Sequence, residues 1–186
     1  MHLVPCPSSL FPHARHLSTS TPSFAPRLTH IDPTTGRASM VSVSQKASTV
    51  RTATAIGSIY LGPTAFPLVH SFNKKGSVLA VAQLAGLLGA KATSSLIPLC
   101  HPIALSHVAV SLTPNEQTLS IELEATAECV GPTGVEMEAL MAVSTAAMTV
   151  WDMCKSAGGK EMSVGGIMVV KKSGGRSGDW VRGRNE

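Results

Sequence analysis

The sequence predicts an α+β fold in which helices pack on one face of an antiparallel sheet. Apolar and polar residues alternate with period two over 106–112 and 117–129, with a turn at 113–116, as in a hairpin that has one polar face. Two apolar stretches, 77–91 and 134–156, are long enough to form helices. Because strands and helices interleave around the hairpin, we expect the helices to cover a single face of the sheet.

The first half of the chain contributes a strand and an apolar helix. Residues 52–61 are mainly β-branched or apolar and predict a strand, which Gly62–Pro63 ends. Residues 65–73 favour a short helix. The helix at 77–91 has Ser77 as its N-cap and is apolar nearly all round, so we expect it to be buried or at a subunit interface.

The second half contains the longest helix, at 134–156. Thr133 and Glu136 have the spacing of a capping box that would open this helix. Gly158–Gly159 would end it. A last strand is predicted around 164–171.

The composition fits one domain with extensions at both ends. Residues 1–27 contain no acidic side chain and many Ser, Thr and Pro, which is typical of an organelle transit peptide; the alternative is a disordered extension without a targeting role. Residues 28–172 form the predicted domain. Residues 173–186 are expected to be a Gly-rich basic tail, part of which is an active-site loop.

The charge balance favours a small anionic ligand. Charged residues make up only 14% of the 186, against about 25% in a typical domain, so we expect much of the surface to be covered in an oligomer. The net charge is +4, but aromatic residues reach only 4%, which argues against nucleic acid. No apolar run predicts a membrane span. The cysteines match no zinc-site spacing and are predicted to be reduced thiols: Cys6, Cys100, Cys129 and Cys154.

One face of the long helix carries polar side chains in an otherwise apolar segment. Glu138, Thr145, Thr149 and Asp152 share this face, and Lys155 lies one turn beyond Asp152. The face is either a solvated stripe or the wall of a site. In the second case Asp152 would orient Lys155 for proton transfer.

The segment 95–102 is a second candidate site. Pro98 and Pro102 stiffen it and present Cys100 and His101. Adjacent residues in extended chain point to opposite sides, which argues against a Cys–His dyad. His101 is therefore predicted to hydrogen-bond a ligand, unless it has a purely structural role.

Several cations are candidate phosphate ligands. Lys74 and Lys75 precede the first long helix, where cations oppose the helix dipole unless an anion is bound. The remaining candidates are Lys46, Arg51, Lys172 and Arg176. Each of them could instead be a solvated surface charge.

Six motifs occur in order: LTHID (28–32), KKG (74–76), SLIPLCHP (95–102), GPTGVEMEAL (131–140), DMCK (152–155) and SGGRSGD (173–179). Over about residues 28–180, the chain closely resembles the molybdenum cofactor biosynthesis protein C family, the cyclic pyranopterin monophosphate synthases.

The resemblance implies a ferredoxin-like fold and a hexamer, a trimer of dimers with active sites between subunits. The family are lyases that convert 3′,8-cyclo-7,8-dihydro-GTP, the product of a preceding radical enzyme, into cyclic pyranopterin monophosphate and diphosphate. No redox cofactor is implied and no metal ligand is expected, although Mg²⁺ could accompany the diphosphate. Contact with the radical enzyme is a further expectation.

The resemblance also places the family's site residues on this chain. The catalytic residues would be Asp152, Lys75 and Lys155. The substrate-binding set comprises Leu99, Cys100, His101, Met137, Glu138, Lys46, Arg51 and Lys172, to which we add Glu136 and Lys91.

The sequence departs from the family pattern at a few positions. Ser42 and Ser77 stand where Asp is common, Met141 where Thr is usual, and Arg176 replaces a common Lys. An alternative function is therefore a catalytically impaired nucleotide-binding protein or an assembly partner of the radical enzyme. The segment 57–76 and the N-terminal extension resemble those of eukaryotic members. This resemblance predicts a location in the mitochondrial matrix, with the cytoplasm as the alternative.

Overall fold

The computed structural model describes residues 28–70, 76–175 and 178–183, and these form a five-stranded antiparallel sheet. The strands run in the spatial order β2-β3-β1-β4-β5, and every neighbouring pair is antiparallel. In chain order they are β1 (Thr49–Tyr60), β2 (Leu105–Asn115), β3 (Ser120–Gly131), β4 (Ser163–Ser173) and β5 (Trp180–Val181).

Two long helices pack on one face of this sheet and against each other. One helix connects β1 to β2, and the other connects β3 to β4, so each connection skips one strand. This split β-α-β arrangement is ferredoxin-like and confirms the predicted fold. The helices are α1 (Gly62–Ala65), α2 (Val78–Lys91), α3 (Thr93–Leu96) and α4 (Glu136–Gly158), and a 3-10 helix over Phe66–His70 follows α1.

The period-two alternation in β3 decides which side chains face the helices. Ile121 and Leu123 are buried in the core, whereas Glu122 and Glu124 on the opposite face are exposed. Small residues let the layers approach closely. At Gly57 of β1, an added Cβ would lie 2.7 Å from Cγ1 of Val143 in α4.

The ends of the elements differ in part from the sequence prediction. Ser77 is the N-cap of α2, and its hydroxyl accepts a hydrogen bond from the Ala80 amide at 3.4 Å. The predicted capping box of α4 is wrong, because the helix begins at Glu136 and its cap, Val135, makes no side-chain bond. Gly159 caps the other end of α4, as predicted.

The hairpin turn lies three residues later than predicted, at 116–119. The side chain of Asn115 accepts hydrogen bonds from the amides of Gln117 and Thr118, at 3.1 and 3.2 Å. This local turn competes with strand pairing and starts the reversal there. Strand β2 therefore continues through Pro114, which the prediction had placed in the turn.

After β4 the chain forms a short fifth strand, β5. Trp180 and Val181 pair with β4, and the Arg182 amide donates to the Val170 carbonyl at 2.8 Å. The expected Gly-rich basic tail at 173–186 therefore includes the short strand β5. The predicted extension at 1–27 lies outside the described residues, and no helix in the described part of the chain could cross a membrane.

Candidate functional site

Three strand ends and the start of α4 meet at one end of the sheet. In register, Thr49 of β1 lies opposite Gly131 of β3, and Thr52 lies opposite Ser173 of β4. The loop from β3 into α4 crosses the same region. A large cavity of about 1110 Å³ opens here. Its walls include Lys46, Arg51, Thr133, Glu136, Lys172 and Gly174.

The large cavity carries an excess of positive charge. Among its described lining residues, the cations Lys46, Arg51 and Lys172 outnumber the single carboxylate, that of Glu136. Nζ of Lys172 lies 3.3 Å from Oε1 of Glu136. The Arg51 Nε donates to the Gly131 carbonyl at 3.3 Å, which holds the guanidinium at the end of β3. Such a cavity suits an anionic ligand.

A small cavity of about 320 Å³ adjoins the large one. The two are contiguous because they share four lining residues, Lys46, Thr133, Gly134 and Glu136. The small cavity is lined by seven of the predicted substrate-binding residues: Lys46, Leu99, Cys100, His101, Glu136, Met137 and Glu138.

Glu138 is a buried carboxyl group at the first turn of α4, only 4% exposed. Burial raises its pKa, its own backbone amide opposes that shift, and the neighbouring charge of Glu136 raises the pKa further. A carboxyl group with a raised pKa can hold a proton and exchange it with a bound ligand.

The thiol of Cys100 remains protonated at neutral pH. Burial raises its pKa, and the charge of Glu138 raises it further. A thiol in this state is a weak hydrogen-bond donor and a poor nucleophile. This agrees with the prediction that Cys100 and His101 do not form a catalytic dyad.

Two imidazoles hold the segment 39–41 beside the small cavity. Nε2 of His101 lies 2.8 Å from the Val41 carbonyl, and Nδ1 of His30 lies 3.3 Å from the Ser39 carbonyl. Because a carbonyl only accepts, these nitrogens carry the hydrogen. Sequence analysis assigned no role to His30, although it lies within the LTHID motif.

Asp152 and Lys155 form the predicted ion pair, with 2.5 Å between Oδ1 and Nζ. Both side chains are more than half exposed. Asp152 lies 14 residues after Glu138 on α4, which is about 21 Å along a helix that rises about 1.5 Å per residue. Glu138 and Lys155 therefore line different cavities of this chain. Lys155 lines a third cavity of about 400 Å³ at the other end of α4.

Other candidates lie away from the two adjoining cavities or outside the described residues. Lys91 is exposed at the last position of α2 and lines none of the three cavities. Lys74, Lys75 and Arg176 lie outside the described residues. In the part of the chain that the structure describes, no group of three or more His, Cys, Asp or Glu side chains could hold a metal ion.

Three residues that line the large cavity had no site role predicted from the sequence: Thr49, Thr133 and Gly134. The glycine segment that follows β4 also lines it, where an active-site loop was expected. The signal was present in the two glycine-rich motifs, GPTG and SGG. Both follow predicted strands, where a loop can approach a ligand closely.

The sequence matches the model of the MoaC family over residues 40–175. It is 51% identical over 157 residues to the cyclic pyranopterin monophosphate synthase of Chloroflexus aggregans, covering 84% of this chain and 94% of the relative. It is 50% identical over 156 residues to the enzyme of that name from Thermoanaerobacter pseudethanolicus, covering 83% and 98%. The Arabidopsis thaliana relative, named as mitochondrial, is 50% identical over 157 residues, covering 84% of this chain and 57% of the relative.

Proposed function

Since the chain belongs to the MoaC family, we propose that its two adjoining cavities bind and convert 3′,8-cyclo-7,8-dihydro-GTP. The product is cyclic pyranopterin monophosphate, and diphosphate is released. The chain is accordingly a lyase of molybdenum cofactor biosynthesis. The observation that carries the proposal is a cationic cavity continuous with a smaller one that holds a buried carboxyl group.

The large cavity would hold the triphosphate. Lys46, Arg51 and Lys172 supply charge-assisted donors, and Glu136 keeps the Lys172 ammonium directed into the cavity before substrate binds. These cations would stabilise the negative charge that develops on diphosphate as it departs. Any Mg²⁺ would be bound through the phosphate oxygens of the substrate, and no redox cofactor is needed for the rearrangement.

The small cavity would hold the ring system. Leu99 and Met137 supply apolar contacts there, while His101 and Glu138 supply hydrogen bonds that orient the rings. Ring opening and closure require protons to move to and from nitrogen and carbonyl groups. We assign these transfers to Lys75 and Lys155 as general acid and base, with Asp152 orienting Lys155 through their ion pair.

A second copy of the chain would complete the site. The Asp152–Lys155 pair is separated from Glu138 of its own chain by most of the length of α4, yet it is exposed and available to a neighbour. Apolar side chains on α2 and α4 are also exposed, which favours association. Their exposed fractions are 62% for Leu84, 65% for Leu88 and 54% for Met148. We propose a hexamer built as a trimer of dimers, in which Lys91 also meets a neighbouring chain.

The name of one relative supports a proposal for the cellular setting. The Arabidopsis relative is named as mitochondrial, and we propose the mitochondrial matrix for this chain. Contact with the preceding radical enzyme would allow transfer of the intermediate.

Direct turnover tests the proposal. The purified full chain is given the cyclised GTP intermediate, and release of diphosphate and of the cyclic product is measured. We expect both in equal amounts. Binding of the intermediate without release would favour the catalytically impaired assembly partner. Salt-dependent binding to polynucleotides without turnover would favour a nucleic-acid-binding module.

A further inference from the structure

Gly174, in the loop that follows β4, is held from two sides. Its carbonyl accepts a hydrogen bond from the Thr49 hydroxyl at 2.7 Å. Its amide donates to Oδ1 of Asp179 at 3.1 Å. Thr49 begins β1, and Asp179 directly precedes β5, so the glycine connects both neighbours of β4.

The backbone conformation at this point admits only glycine. Gly174 has a φ of 82°, in the left-handed region, and an added Cβ would overlap the carbonyl oxygen of Val50. The loop therefore lies directly on the edge of β1. The Gly178 amide donates to the Gly175 carbonyl at 3.0 Å, which draws the chain back towards β5.

This arrangement bears on the cations of the large cavity. Lys172 precedes Gly174 by two residues on β4, and Arg51 follows Thr49 by two residues on β1. The antiparallel pairing of β1 and β4 sets the spacing of the strands that carry these cations, and the Thr49–Gly174 bond attaches the loop to the end of that pairing. Ser173, Gly174, Gly175 and Gly178 are themselves part of the cavity wall.

The negative charge of Asp179 does not explain why this residue lies beside the large cavity. A carboxylate close to a phosphate-binding cavity repels the ligand. Its hydrogen bond to the Gly174 amide gives it a different use, because a carboxylate oxygen is a strong acceptor that can hold a loop in place.

We infer that Asp179 and Thr49 are positioning residues for the phosphate-binding cavity and act on the substrate through Gly174. The inference rests on the proposed function and deepens it. Asp179 lines none of the three cavities, and although Thr49 lines the large one, its hydroxyl hydrogen is donated to the Gly174 carbonyl. Asp179 holds the amide side of Gly174, Thr49 holds its carbonyl side, and together they hold the loop wall at the end of β1, beside the cations Arg51 and Lys172.

Matched variants of the full chain separate this role from charge and from folding. Asp179→Asn keeps an acceptor oxygen and loses the charge, whereas Asp179→Ala loses both. Thr49→Ser keeps the hydroxyl, and Thr49→Val removes it. The measured quantities are kcat and KM for the cyclised intermediate, Kd for inorganic tripolyphosphate by calorimetry, and Tm.

We expect Asp179→Ala and Thr49→Val to raise KM and the Kd for tripolyphosphate by about tenfold, the effect of losing one hydrogen bond, with kcat within about twofold. Asp179→Asn and Thr49→Ser should stay within about threefold of the parent chain in both constants. If Asp179→Ala proves too unstable to assay, the Thr49 pair decides the inference alone.

Three results would overturn the inference. Unchanged KM and Kd in both Asp179→Ala and Thr49→Val would show that the loop needs no such support. Equal losses in Asp179→Asn and Asp179→Ala would show that charge matters rather than the hydrogen bond. Failure of the parent chain to bind tripolyphosphate would overturn the proposed function itself, and the positioning role with it.

Discussion

The ammonium of Lys172 lies 3.3 Å from the carboxylate of Glu136, where the end of β4 meets the start of α4. Each of these side chains is about one third exposed, so the pair is open to the large cavity rather than sealed in the core. The contact joins two elements that are distant in sequence. The carboxylate of Glu136 therefore orients the Lys172 ammonium in the large cavity before a ligand binds.

Replacing Lys172 should weaken substrate binding more than turnover. Lys172→Ala removes one charge-assisted bond to the triphosphate, and we expect KM to rise about 10–100-fold with a smaller change in kcat. The matched control is Lys171→Ala, because Lys171 precedes it on β4, is exposed and does not line the cavity. Steady-state kinetics of diphosphate release would measure both. Equal effects of the two variants would contradict a specific role for Lys172.

Mixing two inactive variants should restore activity if the site is shared between chains. Lys155→Ala removes a group at one end of α4, and Glu138→Gln removes one at the other end. In randomly mixed assemblies, about a quarter of the sites would receive both intact groups from different chains. Diphosphate release should therefore recover to about a quarter of the parent rate.

The control for the mixing experiment combines Lys155→Ala with Asp152→Asn, which alter the same end of α4. This mixture should show no recovery, because every site receives a defective pair. Recovery in the control, or none in the test mixture, would mean that the site is not divided between chains in this way.

The buried carboxyl group of Glu138 should make stability depend on pH. Its pKa is raised in the folded chain above the ordinary value of 4.5, so the folded state binds a proton more tightly than the unfolded state. The contribution of Glu138 to stability is then greatest below pH 4.5 and is lost as pH rises through the folded pKa.

Urea unfolding of the parent chain and of Glu138→Gln between about pH 4 and pH 8 would measure this dependence. The variant lacks the titrating group, so the parent should lose stability relative to it as pH rises. A constant difference between the two chains across this range would contradict the raised pKa.

Loss of the Cys100 thiol should be tolerated, unlike loss of the His101 ring. The pKa of Cys100 is raised, so the thiol is not a nucleophile, and Cys100→Ser should keep turnover within about tenfold. His101→Ala removes the bond to the Val41 carbonyl and the imidazole ring in the small cavity, and should reduce kcat/KM by about 10²-fold or more. Abolished turnover in Cys100→Ser would restore covalent catalysis as a hypothesis.

Much of the fold was predictable because it depends on local periodicity. Alternating residues in β3 assign Ile121 and Leu123 to the core in any structure where this segment is a strand. Ser77 caps α2 through atoms only three residues apart. Some of the residues that line the small cavity were also singled out from the sequence, because the motif that supplies Cys100 and His101 is short and contiguous.

Other features could not be predicted because they depend on partners distant in sequence. Strand β5 depends on β4, because Trp180 and Val181 pair with that strand. The capping-box spacing at Thr133 is not used: the helix begins at Glu136, and the Glu136 carboxylate lies beside Lys172, which is distant in sequence. The ring of His30 is held by its hydrogen bond to the carbonyl of Ser39, nine residues later in the chain.

The sequence by itself determined the family, the order of the elements and the residue types available for phosphate and proton chemistry. Only the tertiary structure decided which of them meet. Antiparallel register brings Arg51 and Lys172 to one cavity, although 120 residues separate them in the chain. The straight rise of α4 carries Asp152 away from Glu138, although spacing puts both on one face. Helical periodicity predicts on which face of a helix a side chain lies. Whether two groups on the same face can share a site depends on their separation along the helix axis.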